Sequence, residues 1–352
     1  MSYNYEEIVP YLLHWFDYNA RVLPWRENPK PYYVWISEIM LQQTRVEAVR
    51  GYFDRFIEAI PDIEALATVD DEKLMKLWEG LGYYNRARNL KKAAQVIMSD
   101  YLGELPSDYH ELLKLPGIGV YTAGAIASIA YRQPEVAIDG NVLRIATRIA
   151  GSFDDITKES VKKELWKDFK RIVPKDRPGD FNQSLMDLGA MVCIPNGKPH
   201  CEQCPIMHLC QAFHQDLVMQ IPVKPPKKTR RIEKRTVLLM EYQGRYLLHQ
   251  RENKGLLAGL WELPTIEEKL TQSKLRKVLK EWEIEDYQVQ PLGKAKHVFT
   301  HLEWHMEGYH IKLKAIPALF INQSSYVWAS KEELESIYAL PSAFSAFTRE
   351  LL

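Results

Sequence analysis

The stretch Leu115-Pro116-Gly117-Ile118-Gly119-Val120-Tyr121-Thr122-Ala123-Gly124 lies between two helix-patterned segments, and its reading decides the fold. A proline and two glycines permit a tight turn whose backbone N–H groups face outward with the N-terminus of the following helix. Such a nest holds an anion, a DNA phosphate for example, with no bulky side chain in the way. By itself a Gly-x-Gly step is more often an ordinary turn, so its surroundings carry the weight.

On both sides of it apolar residues recur at helical spacing. Helices are expected over 5–19, 33–50, 52–60, 71–77, 86–101, 110–114, 119–130, 142–149, 158–172 and 181–192, with glycine and proline between them. That pattern describes a multi-helix bundle with short connections rather than βα repeats. Residues 221–235 then bring three prolines and seven Lys or Arg against one Glu, a stiffened basic linker. Beyond it, strands over 236–241 and 245–250 flank a Gln243–Gly244 turn. A further strand over 305–315 and helices over 270–282 and 331–338 complete a mixed α/β region. The expected domains are therefore 1–220, helical; 221–235, the linker; and 236–352.

A chain of 352 residues can bury two cores, and 46% hydrophobic with 26% charged residues argues against global disorder. The net charge of zero does not exclude a nucleic-acid surface, because distribution matters more than the sum. Residues 1–13 lack the basic start and apolar run of a signal peptide, and no run approaches the roughly 18 apolar residues of a membrane helix. A soluble intracellular protein is the expectation. All four cysteines, Cys193, Cys201, Cys204 and Cys210, sit in one short segment, which in such a chain favours ligation over disulfides. Four thiolates either close a tetrahedral zinc site or hold the irons of a cubane cluster, and the residues alone slightly favour zinc.

The hairpin, the run Val136-Ala137-Ile138-Asp139-Gly140-Asn141-Val142 after it, and the cysteine spacing together resemble the endonuclease III and MutY superfamily of helix–hairpin–helix DNA glycosylases. The resemblance covers nearly the whole chain. It implies a 4Fe-4S cluster on the four cysteines, structural or DNA-contacting in role; seven residues separate the first two, one more than is usual in the family. Gly117 and Gly119 become the phosphate-binding hairpin. The catalytic aspartate of the family falls on Asp139, which on its own reads at least as readily as a helix cap. A carboxylate under the anomeric carbon stabilises the oxocarbenium-like charge of base excision, whether electrostatically, by a transient bond or by orienting water.

Glu38 stands amid apolar residues in Trp35-Ile36-Ser37-Glu38-Ile39-Met40-Leu41-Gln42-Gln43-Thr44, where burial would raise its pKa. In MutY-like enzymes the matching glutamate protonates adenine. Tyr121 occupies the place where the bifunctional branch carries its Schiff-base lysine, so hydrolysis without lyase chemistry is implied. Asn141 would position Asp139 or water, and Gln42 and Gln43 would read and wedge the base step beside the flipped-out target. Arg26 and the run 80–86, with Tyr83, match the MutY side and would line or brace an adenine pocket. Gln183 falls where some members carry a glutamate and receives no acid or base role.

In the second domain, 255–264 resembles the entry to a Nudix-like domain, while 275–282 carries basic residues where a Nudix hydrolase needs acids for Mg²⁺. A recognition fold is expected instead of a diphosphate hydrolase. His297-Val298-Phe299-Thr300-His301 resembles the loop with which MutY proteins inspect 8-oxoguanine: Phe299 as a wedge, Thr300 and His301 as polar contacts. The whole expectation is a multidomain protein, an all-α helix–hairpin–helix glycosylase domain with an iron–sulfur loop followed by an α/β Nudix-like domain. It would act as a monomer on double-stranded DNA, hydrolysing the bond to adenine opposite 8-oxoguanine or guanine and leaving an abasic site. No membrane is involved; the expected location is cytoplasmic, at the nucleoid in a bacterium.

Overall fold

The computed structural model describes residues 3–226, 229–321, 323–349 and 351. Met1 and Ser2, the linker's Lys227 and Lys228, and Leu352 at the end of the expected second domain lie outside the described residues. The chain divides into two units, Met1–Thr68 with Arg88–Pro226, and Val69–Ala87 with Lys227–Leu352. No helix among the described residues is long and apolar enough to cross a membrane.

The first unit is built from helices. The helix Pro31–Leu41 begins on a proline, whose fixed φ suits the first helical position. It is buried almost all round, from Val34 through Met40. The continuous helix expected over 33–50 instead breaks after Leu41, where Gln43 takes φ 61°, and a second helix runs Val46–Ala59. Helical periodicity carries across such a break because the apolar positions on either side keep their phase. The helix Pro178–Met191 packs against Ile8–Asn19, Val120–Ile129 and Gly140–Ala150, with Ile8, Leu12, Ile145, Phe169, Phe181 and Leu188 in the core between them.

The cysteine segment departs from expectation. Cys193, Cys201, Cys204 and Cys210 line one small pocket together with Arg148. Arg148 Nη1 donates to Cys193 Sγ at 3.2 Å, and the Cys210 thiol donates to the Arg148 carbonyl at 3.4 Å. Burial pushes the Cys204 thiol up to about 12 and raises Cys201 and Cys210 in the same direction. Among the described residues no group of three or more His, Cys, Asp or Glu side chains is arranged to hold a metal ion. The iron–sulfur loop of the expected fold, and with it the 4Fe-4S cofactor and metal binding, is therefore corrected: the first unit is all-α, and no such metal-holding group is found among the described residues.

The second unit is α/β. Its sheet consists of β1 (Arg231–Tyr242), β2 (Arg245–Gln250), β3 (Trp261–Glu262), β4 (Thr265–Ile266), β5 (Tyr287–Val298), β6 (Leu302–Leu313) and β7 (Tyr326–Ala329). The main order is β3-β2-β1-β6-β5, with β1 and β6 parallel and the other neighbours antiparallel. Alternation along β1 sends Val237 and Leu239 to a core with Trp304 and Phe344, and Leu238 and Met240 to a second core with Leu279 and Ile311. β1 starts at Arg231, inside the expected linker, because it pairs with β6 from Leu302 onward.

The segment Val69–Ala87, which falls within the expected domain 1–220, groups with this unit, and its contacts explain why. Asp70 caps the helix Asp71–Leu77 by accepting from the Glu72 and Lys73 N–H groups. Trp261 Nε1 then donates to both Glu72 carboxylate oxygens at 2.9 and 3.0 Å. Lys76 Nζ donates to the Leu334 and Tyr338 carbonyls, and the Leu340 N–H donates to Glu79 at 2.6 Å.

Candidate active site

A cavity of about 510 Å³ in the first unit gathers Arg26, Glu38, Tyr121, Asp139 and Asn141 from four separate elements. Gly119 caps the helix Val120–Ile129, and Tyr121 in its first turn donates from its hydroxyl to Glu38 Oε2 at 2.8 Å. Burial is the main influence on Glu38, lifting it to about 7 against the hydrogen bond from Tyr121 and the positive charge of Arg26. The same burial, with Glu38 and Asp139 nearby, raises the Tyr121 phenol well above its usual range, so it remains a donor.

Asp139 takes the helix-cap position expected of it and also faces the cavity. Its side chain caps the helix Gly140–Ala150 by accepting from the N–H groups of Asn141 and Val142, both at 2.8 Å, while also lining the cavity. Asn141 Nδ2 donates to its other oxygen at 2.7 Å. Burial raises Asp139 above the usual carboxylate range; the backbone donors and the charge of Arg144 oppose it. Glu38 accepts one such bond and Asp139 accepts three, so the anion is better supported at Asp139.

Asn141 is itself held. Arg144 Nη2 donates to Asn141 Oδ1 and to the Gly189 carbonyl, each at 2.8 Å, and Arg144 Nε donates to the Cys193 carbonyl at 2.8 Å. A Cβ at Gly189 would come 2.5 Å from Asn141 Cβ, so only glycine lets the two helices approach this closely there.

Two groups that sequence reasoning missed, Arg21 and Asp187, form an ion-pair cluster with Arg26, and both arginines line the cavity. Asp187 is fully buried and accepts from Arg21 Nη2 at 2.6 Å and from Arg26 Nη1 at 2.7 Å, each arginine also bonding through a second nitrogen. Burial alone would raise Asp187; the hydrogen bonds and charges of Arg26 and Arg21 hold it below the usual carboxylate range. The available signal was an acid within an otherwise apolar stretch, Leu185 to Leu188. Gln183 and Met186 line the cavity from the same helix.

The hairpin takes the expected shape. Gly117 has φ 79°, and a Cβ there would sit 2.7 Å from Asn89 Cβ. Gln42 caps the broken helix and donates from Nε2 to Thr122 Oγ1 at 3.3 Å, while Gln43 is exposed; neither lines the cavity.

Tyr83 does not line the cavity either. It belongs to the second unit, where its exposed hydroxyl lies 3.0 Å from Thr300 Oγ1. Beside Thr300, the Phe299 ring packs on His297 and Trp304 with centroids 4.6 and 4.9 Å apart, and His301 is exposed. Burial lowers the pKa of His297 and favours its neutral form.

A family model described as HhH-GPD superfamily base excision DNA repair protein matches residues 36–171, and a NUDIX domain model matches 235–350. Adenine DNA glycosylase of Mus musculus is 34% identical over 87% of this chain and 71% of its own length. That of Buchnera aphidicola subsp. Baizongia pistaciae is 33% identical over 90% of this chain and 89% of its own. Among solved structures, a thermostable thymine-DNA glycosylase aligns with TM-score 0.54 and 30% identity, covering 59% of this chain and 96% of that one. A trapped endonuclease III–DNA covalent intermediate aligns with TM-score 0.53 and 26% identity, over 62% of this chain and 100% of that one. With relatives of this identity and coverage, the chain belongs to the adenine DNA glycosylases, hydrolytic base-excision enzymes of the helix–hairpin–helix superfamily.

Proposed function

We propose that this protein removes adenine paired with 8-oxoguanine or guanine in duplex DNA, working as a monomer and leaving an abasic site. The observation that carries the chemistry is the Tyr121–Glu38 hydrogen bond within reach of Asp139, in a cavity large enough for a base. A flipped-out adenine enters the cavity, and Glu38 delivers its proton to a ring nitrogen as the glycosidic bond lengthens. The departing base takes the bonding electron pair. Positive charge develops on the sugar, and Asp139, whose carboxylate accepts from three donors, stabilises it. Water then adds to the anomeric carbon and returns a proton to Glu38.

With tyrosine at position 121, the helix start offers no amine for a Schiff base, which favours hydrolysis without strand cleavage. Gly117, Gly119 and the N-terminus of Val120–Ile129 would bind a backbone phosphate, Gln42 and Gln43 would contact the distorted base step, and Arg26 with Asp187 would shape the adenine wall. Opposite-base reading falls to Phe299, Thr300 and His301, with Tyr83 beside Thr300. A chromosomal substrate puts the work at the nucleoid if the cell is bacterial.

The test is incubation with duplexes carrying adenine opposite 8-oxoguanine, guanine or thymine. Free adenine from the first two, with strand breaks only after alkali, supports the proposal. Equal release opposite thymine, or breaks without alkali, contradicts it.

A further inference from the structure

Met186 reaches the cavity from the helix Pro178–Met191 and is half-buried. Its Sδ lies 3.8 Å from the Tyr121 hydroxyl oxygen, whose other acceptor is Glu38 Oε2 at 2.8 Å. A phenol has a single proton to donate, so the two acceptors compete for it. A carboxylate is much the stronger acceptor. Once Glu38 becomes a neutral acid its oxygen weakens as an acceptor, and the competition moves toward sulfur.

We propose that Met186 is a positioning residue for base excision: its sulfur accepts the Tyr121 proton when Glu38 is in its acid form, and so favours the form that delivers a proton to the leaving base. The inference rests on Glu38 acting as the acid. A thioether is a weak acceptor, which leaves the tyrosine free to return to the carboxylate after the proton has gone. A stronger acceptor at the same point would hold Tyr121 away from Glu38, and no acceptor would leave Tyr121 bound to it throughout.

These two perturbations push in opposite directions, and a residue that only fills space does not behave that way. Tyr121 lowers the Glu38 pKa through its hydrogen bond. Met186→Leu keeps the volume nearly constant and removes the sulfur, so the alkaline limb of single-turnover adenine release moves to lower pH by several tenths of a unit. Hydrogen peroxide converts the thioether to a sulfoxide: the peroxide O–O bond breaks, an S–O bond forms at the oxidised sulfur, and water leaves. With Met186 sulfoxide verified by peptide mass, the limb moves to higher pH. Peroxide-treated Met186→Leu controls for other oxidised residues, and its limb stays where it was before treatment.

A limb shared by wild type and Met186→Leu, shifts of the same sign, or an equal peroxide shift in Met186→Leu overturns the proposal. Glu38→Gln separates the two levels. If it keeps the wild-type rate and profile, the acid assignment fails and the role of Met186 fails with it. If Glu38→Gln is inactive while the limb of Met186→Leu has not moved, the role of Met186 alone fails.

Discussion

Glu38 owes its raised pKa to its place on a helix that is buried on nearly every face. The folded pKa is raised from 4.5 to about 7. A raised value means the contribution to stability is fully present below the unfolded pKa and is lost as pH rises through the folded one. Wild type therefore loses about 3 kcal/mol between those limits, by the free energy of one pKa unit. Glu38→Gln should flatten that dependence, so that urea titrations find the variant the more stable at pH 8, while adenine release falls to background. Equal pH dependence in both proteins contradicts the burial argument. Asp187 makes the complementary case. Asp187→Asn leaves two arginines short of their counter-charge and should cost about 3–5 kcal/mol, read by denaturant titration, with adenine release impaired through Arg26. Glu38 and Asp139 were legible in the sequence because each sits in a short motif. Arg21, Asp187 and Met186 were not, since their roles arise from pairing across more than 160 residues or from sharing one hydroxyl proton.

Among the elements, the hairpin is the most exacting. Gly117 combines a left-handed backbone with a neighbour that a Cβ would strike. Gly117→Ala should destabilise the fold by about 1–3 kcal/mol. It should also weaken DNA binding and make log K against log salt less steep as a phosphate contact is lost. Unchanged affinity and slope contradict a phosphate-binding role. The hairpin was readable because proline and glycine leave their mark locally. The break at Gln43 was not, as no glycine or proline signals it and the apolar phase continues. Strand β5 escaped for a different reason: it lies at the sheet edge, exposed along most of its length, so no alternation of apolar residues records it. Cysteine spacing likewise says nothing of how the side chains are arranged in space, and the correction to the iron–sulfur expectation came from that arrangement among the described residues.

For the whole molecule, the sequence separates a helix-patterned from a strand-patterned part, and the expected junction between them is a basic, proline-rich stretch. It did not reveal that Val69–Ala87 groups with the second unit, because Glu72, Lys76 and Glu79 read simply as a charged helix face. That grouping brings Tyr83 to Thr300. Thr300→Ala and Tyr83→Phe should each reduce the preference for 8-oxoguanine over guanine as the opposite base, by a few-fold, with little change in the rate at which bound adenine is released. Competition kinetics on the two duplexes measures it, and unchanged preference in both variants removes this pair from opposite-base reading. The proposed chemistry depends above all on Glu38 supplying the proton that releases adenine. Single-turnover adenine release from a duplex with adenine opposite 8-oxoguanine, followed across pH 5–9, tests it most directly. With Glu38 as the acid, the rate declines as pH rises through about 7 and the Glu38→Gln protein shows no measurable release. A pH-independent rate, or a Glu38→Gln protein as fast as wild type, would contradict it.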